Sequence, residues 1–277
     1  MTDIPQLKTF DVSLSPTGVA EIAFNRPERY NSLSPLVYEE WRTAIRWAAS
    51  SEDVKVTVLT GRGKYYTSGQ ELAIPEMTPE ALDNYMKRSE VTKTLTDELI
   101  NFPKMLIAAV NGHAIGYGVT TLALCDVVYS VPDATFTTPF MKLSFCAEAC
   151  SSVTFPRILG TSRANEMLLM GRTFTAKELE QAGLISRTFP TESFHEQVMA
   201  LAEKAAEFSV NAMKITKELV RSVDRELLLS TNVIEMERLG ECMTSSDSLE
   251  SMLRFFEESQ KKKKAKAAAG KNKASKL

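Results

Sequence analysis

"MLIAAVNGHAIGYGVTTLALCDVVYS", residues Met105 to Ser130, changes pattern twice within one stretch. Met105–Val110 is a short continuous apolar run, the mark of a strand buried on both faces. Gly112, Gly116 and Gly118 follow, and a helix is predicted to open at about Tyr117. A junction of this kind leaves main-chain N–H groups without helical partners, at the end of the helix whose dipole favours negative charge. "CDVVYSV" then supplies another short strand. Upstream the same order appears: "VKVTVLTG" (Val54–Gly61) is a buried strand, "GRGKYYTSGQEL" a loop, and a long polar helix begins at Thr78-Pro79-Glu80. Strand, loop, helix and strand in succession predict α/β architecture with parallel pairing.

Around this centre the signals are local. "FDVSLSPTGVAEIAFNRP" (Phe10–Pro27) alternates apolar and polar residues on either side of "SPTG" and reads as a hairpin. Ser34 is placed to cap a helix with Pro35 at its first position, and Val37, Trp41, Ala44, Ile45 and Ala48 recur at helical spacing. "ATFTTP" (Ala134–Pro139) is a further strand candidate. Beyond Glu148 the chain reads as mainly helical, with Thr175/Glu178 and Asp247/Glu250 spaced as capping boxes and a break at Gly160–Thr161.

Composition narrows the class. A chain of 277 residues, 44% hydrophobic, has enough apolar material for a substantial core. No apolar run reaches the roughly 18 residues of a membrane span, and "MTDIPQLKTF" lacks a secretory signal, so a soluble, non-exported protein is expected. Four cysteines without CxxC spacing, and only His113 and His195 besides, argue against structural zinc and a disulfide framework. Cys146 and Cys150 read as buried thiols. The net charge of −2 hides an asymmetry: Lys261–Leu277 holds eight lysines and no acid, and removing those eight from the total leaves −10 for the rest. That stretch lacks interleaved aromatics and an amphipathic pattern, so a solvated extension is expected, not a nucleic-acid or membrane site. Its last residues, Ser275-Lys276-Leu277, form the SKL address read by the peroxisomal import receptor.

"NRPERYNSLS", "YYTSGQEL", "IAAVNGHAIGYGVTTLALCDVVYS", "ATFTTP" and "AKELEQAGLISRTFP" together resemble the crotonase (enoyl-CoA hydratase/isomerase) superfamily, over about residues 8–258. Within it, "AE-CSS-TFP-I" resembles the peroxisomal Δ3,Δ2-enoyl-CoA isomerases; the acyl-CoA-binding module of some animal members has no counterpart. The resemblance implies a ββα spiral core over 1–200, a helical trimerisation region over 201–258 and a disordered lysine-rich tail over 259–277. It implies a homotrimer or hexamer, with "LLSTNVIEMERLGECM" available for subunit contacts or for packing within one subunit. It implies an acyl-CoA thioester as substrate, and no cofactor beyond the CoA that the substrate carries.

The implied chemistry rests on few residues. The N–H groups of Gln70 and Tyr117 would donate to the thioester oxygen as an enolate forms. Contacts to the CoA ester are implied for Arg29, Ser68, Gly69, Gln70, Glu71, Leu72, Gly116, Tyr117 and Phe140. Superfamily hydratases use two glutamates to activate water; the matching positions here hold Thr120 and Phe140, neither of which can act as a base. What remains is Glu148 in "SFCAEACSS", a position where the isomerases carry their single acid/base group. Without the resemblance, Glu148 reads first as a carboxylate satisfying the first amides of a helix. With it, a 1,3-proton shift is expected, in a dry pocket flanked by Phe140, Leu143, Phe145 and Phe155 that raises the carboxyl's pKa. Rival readings are a dienoyl-CoA isomerase or hydratase, including one of specialised metabolism, and a catalytically silent CoA- or RNA-binding scaffold.

Overall fold

A computed structural model describes residues 3–72 and 79–274; Ser275-Lys276-Leu277 and Thr78, the first residue of the expected long polar helix, lie outside the described residues. The hairpin forms where alternation places it, with β1 (Phe10–Leu14) antiparallel to β2 (Val19–Phe24) and Phe10 opposite Phe24. Its turn needs Gly18: φ is +98°, and a Cβ there would stand 2.8 Å from the Asp53 carbonyl oxygen. α1 (Pro35–Ser50) starts as expected, the Ser34 hydroxyl accepting the Val37 N–H. Its apolar stripe is buried, Trp41 meeting Phe24 edge-on at 4.9 Å.

From here the chain lays down strands in pairs, one in each of two sheets. β3 (Val56–Gly61) pairs parallel with β2, and β4 (Tyr65–Thr67) turns away to begin the second sheet. α2 (Pro79–Ile100) leads to β5 (Met105–Val110), parallel to β3, and β6 (His113–Ile115), parallel to β4. α3 (Tyr117–Thr120) and a 3-10 turn lead to β7 (Val127–Ser130), parallel to β5, and β8 (Thr135–Thr137), parallel to β6. The first sheet has the order β1-β2-β3-β5-β7 and the second β4-β6-β8, each extended by one later strand. This is the expected ββα spiral. Strands β3 and β5 are buried on both faces, which is why they read as apolar runs without alternation.

The break at Gly160 proves to be a corner, not the edge of the core. Gly160, at φ +78°, joins α4 (Ser151–Leu159) to α5 (Thr161–Leu168), and the chain then returns to both sheets. β9 (Phe174–Thr175) pairs with β8, α6 (Ala176–Ala182) follows through the Thr175/Glu178 capping box, and β10 (Arg187–Thr188) pairs with β7. α7 (Phe194–Ala206), α8 (Val210–Ser222), α9 (Arg225–Met243) and α10 (Ser246–Ala274) complete the chain. The start of α10 differs from the expected Asp247/Glu250 box: the Ser245 hydroxyl accepts the Ser248 N–H, so the helix begins two residues earlier. It also runs through the lysine-rich stretch that composition assigns to a disordered extension, alanine and lysine both being strong helix formers.

Candidate active site

Parallel pairing of β4 with β6, Tyr65 beside His113, sends the loops after both strands out of the same sheet edge. Glycines let them meet. A Cβ on Gly69 would stand 2.8 Å from the Ile115 carbonyl oxygen, and one on Gly118 would overlap the Thr67 methyl at 2.0 Å. Around Gln70 the neighbouring groups are spent: Gly69 O accepts the Leu33 N–H, Glu71 N–H donates to Leu33 O, and Gly69 N–H donates to the Thr67 hydroxyl. In the second loop Gly116 N–H donates to Thr137 O, and Gly116 O accepts from Val119 and Thr120. Among the described residues, the N–H groups of Gln70 and Tyr117 donate no hydrogen bond. They are the available donors of two loops held in contact.

The Tyr117 side chain takes no part in that opening. Its ring meets Tyr38 at 5.4 Å and Trp41 at 5.7 Å, and its hydroxyl shares a 2.9 Å hydrogen bond with Thr96. A bulky residue is therefore compatible with a main-chain donor, because the core consumes the side chain. One residue not singled out from sequence ties the loops together: Asn31, buried at φ +53°, donates to the carbonyls of Arg62 and Tyr65 and accepts the Arg26 N–H. Its carbonyl accepts the Thr67 hydroxyl at 2.6 Å. The signal available in "NRPERYNSLS" is asparagine's tolerance of left-handed backbone.

Glu148 is 7% exposed, and the side chains of Phe140, Leu143, Phe145 and Phe155 are buried as well. No described residue donates a hydrogen bond to its carboxylate; its main-chain carbonyl accepts from Ser151. Burial first, and the negative charge of Glu235 second, push its carboxyl up from 4.5 to about 8. The Glu148 charge in turn reaches Tyr117, whose phenol is driven far above its usual value, mainly by burial. The expected raised acidity range of Glu148 is thus present, with a contributor that sequence did not reveal.

Glu235, on α9 and 5% exposed, performs the structural role that Glu148 was alternatively assigned. Its carboxylate accepts the Cys150 N–H at 2.6 Å and the Ser152 N–H at 2.9 Å, capping α4 from a distant part of the chain. Between Glu148 and α4, Ala149 and Cys150 occupy left-handed backbone at φ +51° and +63°. Such conformations cost non-glycine residues roughly 1–2 kcal/mol each, so the turn requires support from outside.

The remaining expected residues divide into two groups. Thr120 is buried with its hydroxyl donating to Tyr117 O, and Phe140 is buried, so neither position offers a base. Arg29, 61% exposed, stands 3.9 Å from the Glu71 carboxylate, while Arg26 holds the same oxygen at 3.1 Å and Ser32 at 2.7 Å. Arg29 is therefore the freer cation beside Ser68–Leu72, whose Ser68 N–H is tied to Tyr30 O and whose Leu72 packs against the core. A cavity of about 660 Å³ between α4 and α8, lined by Ala123, Ile158, Met213 and Leu228, includes none of Gln70, Tyr117 or Glu148. Among the described residues no cluster of metal-ligating side chains forms, and no helix is long and apolar enough to cross a membrane.

Comparison with known proteins agrees with this arrangement. The sequence model of a family described as enoyl-CoA hydratase/isomerase matches residues 15–266. The chain is 38% identical over 247 residues to human "Enoyl-CoA delta isomerase 2", covering 88% of this chain and 62% of that one. It is 36% identical to mouse "Enoyl-CoA delta isomerase 3, peroxisomal", covering 87% and 76%. The chain thus spans about three fifths of the human relative's length. A crystal structure of enoyl-CoA hydratase/isomerase from Pseudoalteromonas atlantica T6c superposes with a TM-score of 0.81 at 30% identity, over 91% of this chain and 98% of that one.

Proposed function

The chain belongs to the enoyl-CoA hydratase/isomerase family of the crotonase superfamily, and on that premise we propose that it is a Δ3,Δ2-enoyl-CoA isomerase. The observation that carries this reading is Glu148: a buried carboxylate to which no described residue donates a hydrogen bond, with its carboxyl raised to about 8. Its N-terminal loop neighbours supply free amides, and the positions matched to hydratase glutamates hold Thr120 and Phe140.

A 3-enoyl-CoA bound with its thioester oxygen at the Gln70 and Tyr117 amides becomes a stronger carbon acid. Glu148 takes a proton from C2; the C–H electrons spread through C2, C3 and C4 onto the thioester oxygen as a dienolate. The same carboxyl returns the proton to C4, leaving a trans C2=C3 bond conjugated with the thioester. One group serves as base and acid, and a base whose pKa lies near the working pH is the efficient choice. Two preorganised amides in a water-poor site stabilise the intermediate by several kcal/mol, since losing one such donor typically costs about 100- to 1000-fold. The reaction so written requires no metal or redox cofactor.

The CoA portion is assigned to the rim formed by Pro27–Arg29 and Ser68–Leu72, with Arg29 facing its phosphates. A dienoyl-CoA isomerase would need a second free acid, and Glu235 is committed to Cys150 and Ser152. A homotrimer or hexamer is supported by the exposed apolar side chains of Ile215 and Leu219 on α8, Val223 just after it, and Val233 and Ile234 on α9. A peroxisomal destination, and a part in the oxidation of unsaturated fatty acids, are supported by Ser275-Lys276-Leu277 and by the name of the mouse relative. The test is incubation of the purified protein with 3-hexenoyl-CoA and, separately, 2-hexenoyl-CoA. Conjugated thioester absorbance should appear with the first; water addition to the second without any shift of the first overturns the reading.

A further inference from the structure

Two buried carboxylates converge on the start of α4, and the reaction above uses only one of them. Three positions along one side of α9 hold the surrounding structure. Leu228 O accepts the Cys150 thiol, Asn232 donates to Lys93 O and to the Asp97 carboxylate on α2, and Glu235 accepts the amides of Cys150 and Ser152. The helix is therefore keyed into α2 on one flank and into the Glu148 turn on the other. The turn has two consecutive left-handed residues, neither of them glycine, immediately after Glu148. Without the Glu235 bonds, Ala149 and Cys150 would relax toward ordinary backbone and re-aim the side chain before them.

We infer that Glu235 is a positioning residue for Glu148, fixing the left-handed turn that presents it and keeping a negative charge within electrostatic reach of it. This rests on Glu148 being the acid/base group. Glu235 receives two amide bonds and the Ser152 hydroxyl, all favouring its ionised form, although burial leaves its carboxyl above its ordinary value. Glu148 receives none, so Glu235 ionises first and Glu148 must lose its proton against an existing charge.

The other titratable groups around the turn do not substitute for Glu235. On the turn itself, the Cys146 and Cys150 thiols are each pushed up to about 12, chiefly by burial. From α9 the Cys242 thiol reaches Cys146, and from α3 the Tyr117 phenol is driven up further still. From α2 Asp97 reaches Tyr117 and Cys150, but it is paired with Lys93 at 2.9 Å and with Asn232 at 2.7 Å. The Cys146 and Cys150 thiols and the Tyr117 phenol are neutral at working pH. Among the described residues Glu235 is the charge without a counter-ion next to Glu148.

The experiment compares pH profiles of kcat/KM for wild type, E235Q and E235D on 3-hexenoyl-CoA, with KM recorded separately. E235Q should lower kcat about tenfold or more, leave KM within about twofold, and move the ascending limb to lower pH by roughly one unit. E235D, which keeps the charge but shortens the reach, should restore the limb while recovering only part of kcat. A purely structural Glu235 would leave the limb in place, and a wild-type limb with wild-type kcat in E235Q overturns the inference. If E235Q does not fold, carboxyl infrared titration of wild type against E148Q decides it. The late-ionising acid should vanish in E148Q, and its persistence would assign it to Glu235 and sink the proposed order. Absence of any double-bond shift by wild-type protein would instead remove the functional reading itself.

Discussion

The Glu148 turn and the middle of α9 each bury one glutamate within reach of the same helix start, yet the two carboxylates live under opposite conditions. Glu235 is met by the amides of Cys150 and Ser152 at hydrogen-bond distance, whereas no described residue donates a hydrogen bond to the Glu148 carboxylate. Burial alone does not distinguish a working acid from a structural one: the two are 7% and 5% exposed. Donors do. A buried carboxylate supplied with N–H groups lowers the energy of the fold, and one denied them costs the fold something and remains free to exchange a proton.

The contrast is broken most sharply by replacing each glutamate in turn. E148Q should lower turnover of 3-hexenoyl-CoA about 1000-fold or more while binding the CoA ester as wild type does, measured by steady-state kinetics and by titration with an unreactive acyl-CoA. Retained turnover would return Glu148 to a passive role. Glu235→Ala should act chiefly on stability, by about 3 kcal/mol in chemical denaturation, because two buried N–H groups lose their acceptor and a cavity opens. A loss below about 1 kcal/mol would mean that water replaces the carboxylate and that the turn supports itself.

A smaller effect concerns pH and carries the opposite sign. Glu148 has its folded pKa raised from 4.5 to about 8, so the protonated group's contribution is complete below pH 4.5 and is lost as pH rises toward 8. E148Q does not titrate. Its melting temperature should equal that of wild type near pH 4.5 and exceed it above pH 8. Equal melting temperatures at both pH values would show that water reaches the Glu148 carboxylate in the folded protein.

Much of this was legible in the sequence because it is written locally. β3 and β5 are short apolar runs ended by glycine, and Gly69 and Gly118 are the residues on which the approach of the two loops depends. The Ser34 and Thr175 caps sit where their spacing puts them. Glu148 was visible as an anomaly, but its role came from resemblance, since a lone acid before a helix reads first as a cap. Glu235 was not visible. It lies 85 residues beyond Cys150, within a segment read as apolar, and the buried side of α9 in fact mixes Leu228, Met236 and Leu239 with Thr231, Asn232 and Glu235. Hydrophobic periodicity cannot signal a helix face whose polar groups are satisfied by distant partners. Asn31 escaped for a related reason, its four bonds reaching three separate segments.

The order in which α9 and the two sheets enter the chain has a consequence for synthesis. Both sheets are complete at Thr188, and Glu148 has already left the ribosome by then. Its supporting carboxylate has not. Domains fold progressively as they emerge, so a nascent chain can carry an assembled core and a general base whose aim is still unset. On the proposed reading, competence would arrive only when α9 docks, making proton transfer a late event in the molecule's own production.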